Sequence, residues 1–177
     1  MSGRALPRGL AAKLLLLALG AVAVGAGCAA PLGLSRGAPL RISEVEQAGD
    51  ARRRASTALV VEGLDAELES RRERALSRYA RAIQIDPGNP FAYLALARFY
   101  ADARDAARAL ENLERAQSLL DAEQPYYGSV EPHLRGLRGW SLAVAGQRAS
   151  AEPLLAEARR LAPVVWDDAR LEARELR

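Results

Sequence analysis

Shifted by 34 residues, the chain falls on itself. Leu59, Gly63, Ala75, Tyr79, Ala82 and Pro87 meet Tyr93, Ala97, Ala109, Leu113, Ala116 and Asp121. After a longer spacer, Gly139, Ala151, Leu155, Ala158 and Pro163 repeat the same intervals, with twelve residues from the first small residue to the second in every copy. A period of this length fits a helical hairpin, which cannot hide its apolar face alone and so stacks on copies of itself. Small residues at Gly63, Ala97 and Gly139 let the first helix of each hairpin approach the second, and Ala75, Ala109 and Ala151 do the same from the other side. Tyr79, Leu96, Tyr100, Leu113, Leu142 and Leu155 lie at helical spacing from these positions, as core-filling side chains should. In IDPGNPFAY the first hairpin ends at Asp86-Pro87-Gly88. Asn89 then caps a new helix whose first position is Pro90.

Composition supports helices. Aromatics are 5% of the 177 residues while alanine and leucine recur throughout, and the 50% hydrophobic content suffices for one core. The formal charge of +3 does not point to nucleic acid. Arg4, Arg8 and Lys13 carry the whole excess, no acid precedes Glu44, and the remainder is balanced. Carboxylates alternate with arginines, as in ELESRRER, which reads as solvated helix faces rather than a catalytic acid pair. The single His and single Cys are far apart, so neither a metal cluster nor a Cys-His pair can be assembled. No glycine-rich phosphate loop follows a strand. A non-enzymatic chain without metal, cofactor or catalytic residue is expected.

Residues 1–27 comprise a basic stretch, MSGRALPRGLAAK, an apolar run and small residues leading to Cys28, the layout of a secretory signal. The segment also resembles a bacterial lipoprotein signal, in which the cysteine receives diacylglycerol and becomes the mature N-terminus. Ala26, Gly27 and Cys28 fit that pattern, whereas Gly25 stands where a larger aliphatic is usual. Two other fates compete: cleavage at Ala21-Val22-Ala23, and retention of the uncharged run 14–34 as an anchor. Lipidation is preferred, because a lone cysteine in an exported chain would otherwise stay unpaired in an oxidising compartment. Residues 28–42, with AAPLGLSRGAPL, read as the lipidated Cys and a flexible tether. Ser43 and Glu46 form a capping box for an N-terminal helix over 43–55, with Arg52, Arg53 and Arg54 on a solvated face.

The repeats resemble the tetratricopeptide repeat, whose pattern is W-x2-L-G-x2-Y, A-x3-F, then A and P. The second copy fits best, with Tyr93, Leu96, Ala97, Tyr100, Ala109, Leu113 and Ala116 at seven successive signature positions and Asp121 in place of the closing proline. The first copy has Glu62 where Leu is usual, and the third has Arg135 and Arg138 at apolar places. The resemblance implies an all-α solenoid: repeats at 56–89, 90–123 and 132–165, a spacer at 124–131, and a polar capping helix at 166–177. It further implies that first helices line a concave groove for a protein or peptide partner. The usual groove positions fall on Val60, Leu64 and Glu67, on Phe91, Leu94, Arg98 and Asp102, and on His133, Gly136 and Trp140.

Trp140, Phe91 and Arg98 are of the types that anchor interfaces. Each also has a structural alternative: Phe91 packing on the preceding turn, Trp140 filling space left by Gly136 and Gly139. Tyr126 and Tyr127 in the spacer either plug a gap between hairpins or form a recognition loop. The Lys and Asn set with which some relatives read chaperone tails is not matched. The expected function is a membrane-tethered adaptor in the bacterial envelope, held by lipid on Cys28. Ala29, which is not the aspartate that retains lipoproteins in the inner membrane of enteric bacteria, favours the outer membrane facing the periplasm. A solute-binding accessory subunit of a transporter is the alternative, to be favoured by a ligand-sized apolar cavity around Trp140 and Phe91.

Overall fold

The computed structural model describes residues 39–123 and 127–177; the signal segment, Cys28, most of the tether and Tyr126 lie outside the described residues. Each repeat closes as two helices: α1 (Ala51–Leu68) with α2 (Arg72–Ile85), α3 (Pro90–Asp102) with α4 (Ala106–Glu123), and α5 (Tyr127–Val144) with α6 (Arg148–Leu161). First helices neighbour one another, α1 on α3 and α3 on α5, while α2 meets α3 and α4 meets α5. This is the expected all-α solenoid of three hairpins, and no strand occurs among the described residues. The middle helix α3 is buried on nearly every side, from Pro90 to Ala101, which explains why it is apolar almost all round.

The same turn closes all three hairpins. Arg71, Asp105 and Gln147 donate their backbone N–H to Ala66, Tyr100 and Leu142 at 2.8, 2.8 and 2.9 Å. These are bonds across the last helical turn that require a left-handed residue before the donor. Ser70 (φ 60°), Arg104 (φ 61°) and Gly146 (φ 81°) occupy that position, so only the third hairpin places glycine there. The small residues do what their spacing predicts. A Cβ on Gly63 would overlap the Tyr79 ring, and one on Gly139 would strike Leu155 at 2.8 Å and the Ala151 carbonyl oxygen at 3.1 Å.

The turn between the first two hairpins is tied to α1. Asn89 accepts from the Phe91 N–H at 3.0 Å and donates to Ser56 and Thr57 at 2.9 and 3.1 Å, while Ser56 donates to the Ala82 carbonyl at 2.8 Å. Arg53 bonds Asp86 at 2.5 Å, the Gly88 carbonyl at 3.0 Å and both Glu123 oxygens at 2.8 Å. Arg53 is therefore an internal clamp rather than part of a solvated arginine run. The Glu123 carboxylate, with Asp86, holds its guanidinium well above its ordinary pKa.

Both ends of the repeat array differ from expectation. Of the helix expected over 43–55 only residues 51–55 are helical, as the opening of α1; ahead of them lies a single 3-10 turn, Ile42–Glu44, without a side-chain cap. Gly49 at φ 84° breaks the chain, and Asp50, accepting from the Arg53 N–H at 2.8 Å, starts α1 at Ala51. Most of the spacer becomes the opening of α5, and Val130 is buried. The expected capping helix over 166–177 is replaced by two single turns, α7 (Pro163–Trp166) and α8 (Ala173–Leu176). Between them Asp168 accepts from the Arg170 N–H at 2.9 Å and Ala169 turns left-handed at φ 63°, a local bond competing with helix continuation.

Candidate protein-interaction site

The inner layer of α1, α3 and α5 brings the expected groove positions onto one face, but that face is not open. Val60, Leu64, Leu94 and His133 are fully buried, Phe91 and Arg98 nearly so, and Trp140 is 9% exposed. This corrects the expectation of an accessible groove. Asp102 alone remains exposed, and it pairs with Arg72 of α2 at 2.6 Å.

The cover comes from the chain itself. A strap over residues 39–48 carries the buried side chains Leu40, Ile42 and Val45, and its 3-10 turn lies on α1. Leu40 donates its N–H to the Ser129 carbonyl at 2.9 Å and accepts at its own carbonyl from His133 Nε2 at 2.8 Å. A tail over residues 163–177 completes the cover. Trp166 is fully buried on Gly136, where a Cβ would overlap the indole, and α8 lies on α1 with Leu171 and Leu176 buried. Strap and tail are joined by the Ser43 N–H donating to the Arg177 carbonyl at 2.8 Å. The Arg177 guanidinium reaches Asp65 of α1, with one bond at 3.1 Å.

Gly136 is filled by Trp166, and Gly139 lies against Leu155 and Ala151. Phe91 lines a cavity of about 460 Å³ with Val45, Arg53, Asp86 and Glu123. That cavity is rich in charge and is not the apolar chamber that a small solute would need.

A buried polar cluster lies between α1, α2 and α3. The Arg98 and Glu67 side chains, 4% and 6% exposed, form an ion pair, and Tyr79 donates to Glu67 at 2.5 Å. Burial, reinforced by the Glu67 carboxylate, raises the Tyr79 pKa and keeps the phenol protonated. Among the described residues, Arg98 Nε, His133 Nδ1 and Trp166 Nε1 have no hydrogen-bond partner. Burial pulls His133 down to about 4, opposed by its bond to Leu40, so the ring is neutral at pH 7 with its proton on Nε2.

Sequence spacing found the inner-layer residues but not their cover. The strap and tail show no 34-residue signature, although Leu40, Ile42 and Val45 together with Trp166, Leu171 and Leu176 are an apolar excess that a tether and a polar cap do not need.

A family model described as tetratricopeptide repeat matches residues 68–130, from the end of α1 to the start of α5. A tetratricopeptide repeat is therefore found in this stretch, and the fold is that of a tetratricopeptide solenoid. Such repeats are interaction modules that typically carry no chemistry and bind protein partners. No curated protein and no solved structure matches the chain. Among the described residues, no helix is long and apolar enough to cross a membrane.

Proposed function

We propose that this chain is a membrane-tethered tetratricopeptide lipoprotein that acts as a protein–protein adaptor in the bacterial cell envelope. Its attachment point is Cys28, behind the signal segment 1–27, and the outer membrane is its seat, with the repeats facing the periplasm. One observation supports the protein-binding part: α1 and α5 already hold two segments of chain, strap and tail, through apolar side chains, backbone hydrogen bonds and an ion pair, on the face we read as the concave one. A surface that takes peptide in cis is chemically suited to peptide in trans. The charge-rich lining of the cavity beside Phe91 gives no support to a solute-binding subunit.

Two measurements test the reading. Metabolic labelling with a fatty-acid analogue should mark the wild-type chain and not Cys28→Ser; label persisting in the variant sinks the anchor. Photocrosslinking in membranes, with a reactive residue at Asp102 on the exposed rim and a matched one at Glu114 on α4, should capture a protein from the first position only. Equal capture at both sites, or none at Asp102, defeats the adaptor.

A further inference from the structure

The tail on the concave face is itself a bound peptide, and its contacts describe what that face selects. Trp166 is seated firmly on Gly136. Beyond it, residues 167–172 contain no helix, and α8 is one turn, too short to hold its shape alone. The segment 170–177 is held by three buried apolar side chains, Leu171, Ala173 and Leu176, one of them a single methyl group. Polar contacts secure its far end, where Arg177 meets Asp65 and Ser43. Ordering eight residues costs more conformational entropy than three such side chains return on burial, so the polar contacts at Arg177 are needed to hold the segment. This is therefore a segment that opens at low cost while the stacked hairpins stay folded. Ala169, directly before this segment, holds a left-handed φ of 63°, which costs alanine free energy that the seated tail must offset. Arg177 and Asp65 are both 42% exposed, so a competing guanidinium can reach the carboxylate from solvent.

We propose that residues 170–177 are a detachable occupant of the concave face, standing in for a partner peptide of the same chemistry: two large aliphatic side chains five residues apart, the second followed directly by an arginine that pairs with Asp65. Leu171, Leu176 and Arg177 define that pattern. The inference rests on the concave face being the protein-binding surface. Tail and partner compete, so apparent affinity is the intrinsic affinity multiplied by the fraction of molecules whose tail is open. The arginine sets orientation, because Asp65 sits near the end of α1, away from Asp50 at its start.

The test uses the full chain and a labelled peptide, DARLEARELR, the sequence of residues 168–177. A Leu171→Asp/Leu176→Asp variant, whose tail no longer seats, should bind the peptide at least tenfold more tightly than wild type. Adding Asp65→Arg should abolish that binding, and a peptide ending in Glu should restore it. Equal binding by wild type and the double variant, at unchanged helical circular dichroism, overturns the proposal. Hydrogen exchange on the wild type needs no variant: the amides of Leu176 and Arg177 should exchange at least a hundredfold faster than those of α3. Exchange as slow as in α3 means that the tail does not detach, and the proposal fails. A doubled mass in light scattering, abolished by the double variant, assigns the tail to a second copy and overturns the reading of a separate partner. Peptide binding without capture from membranes leaves the groove chemistry standing and removes the adaptor; capture without peptide binding does the reverse.

Discussion

Acid should loosen the strap, and His133 sets by how much. The imidazole is fully buried, donates from Nε2 to the Leu40 carbonyl at 2.8 Å, and has its pKa lowered from 6.5 to about 4, chiefly by burial. A base whose folded pKa is depressed contributes stability that is fully present above its unfolded pKa. That stability is lost as pH falls toward the folded value, because the unfolded chain takes the proton first. A separation of about 2.5 units corresponds to about 3.4 kcal/mol at its limit, and to about 2 kcal/mol between pH 7.5 and pH 5. Urea denaturation followed by circular dichroism at the two pH values measures it. Glu175, its pKa raised mainly by burial, acts in the opposite sense, gaining stability as pH falls through its folded pKa, and must be separated out. His133→Gln does so, since its amide nitrogen replaces Nε2 as donor to Leu40 and does not titrate. The wild type should lose about 2 kcal/mol over this interval and the variant almost nothing. Equal losses in both refute the assignment to His133. The protection factor of the Leu40 amide, bonded to Ser129, should fall at pH 5 in the wild type alone.

Three other outcomes follow from the packing. Gly136→Ala should destabilise by about 1–3 kcal/mol, although alanine is the better helix former, because its Cβ overlaps the Trp166 indole; Trp166→Ala should make the same change harmless, as a double-mutant cycle in urea would show. Arg98→Ala should cost about 3–5 kcal/mol by leaving Glu67 buried with only Tyr79, while Arg98→Met with Glu67→Gln should regain most of it; equal stability of the two variants contradicts a buried pair. Arg104→Gly should raise stability by up to about 1 kcal/mol, or roughly 2–4 °C in thermal midpoint, since it relieves a left-handed arginine. A lower midpoint would show that the Arg104 side chain contributes more than its backbone costs.

The repeats were legible because their constraints are local and recur. A small residue opposite a small residue, a capped turn after Pro87 and a fixed interval between them are each enforced by helix geometry, so Gly63, Asn89 and Gly139 could be placed without coordinates. Arg53 is not legible in the sequence for the complementary reason. Its run with Arg52 and Arg54 reads as surface, and its three acceptors lie 33 to 70 positions away. The Ser56–Thr57–Asn89 network is hidden in the same way, since hydroxyls in a helix ordinarily bond their own turn and only the fold reveals a partner one hairpin on.

The groove required a different kind of knowledge. Spacing identifies which face of each first helix looks inward, and Val60, Leu94 and His133 do share that face. It does not say what lies over them, because strap and tail obey no period. Their register is fixed by single contacts: Trp166 on Gly136, Leu40 on His133 and Ser129, Arg177 on Asp65. Gly136 was the available clue, since a glycine in mid-helix costs about 1 kcal/mol and is retained where another group must come close. A tryptophan thirty residues downstream, in a segment otherwise charged, was the group to match to it. Three hairpins are near the minimum for a stable stack. Covering the inner face with the strap and the tail buries further apolar surface on a short stack, and it couples the stability of the stack to the occupancy of that face.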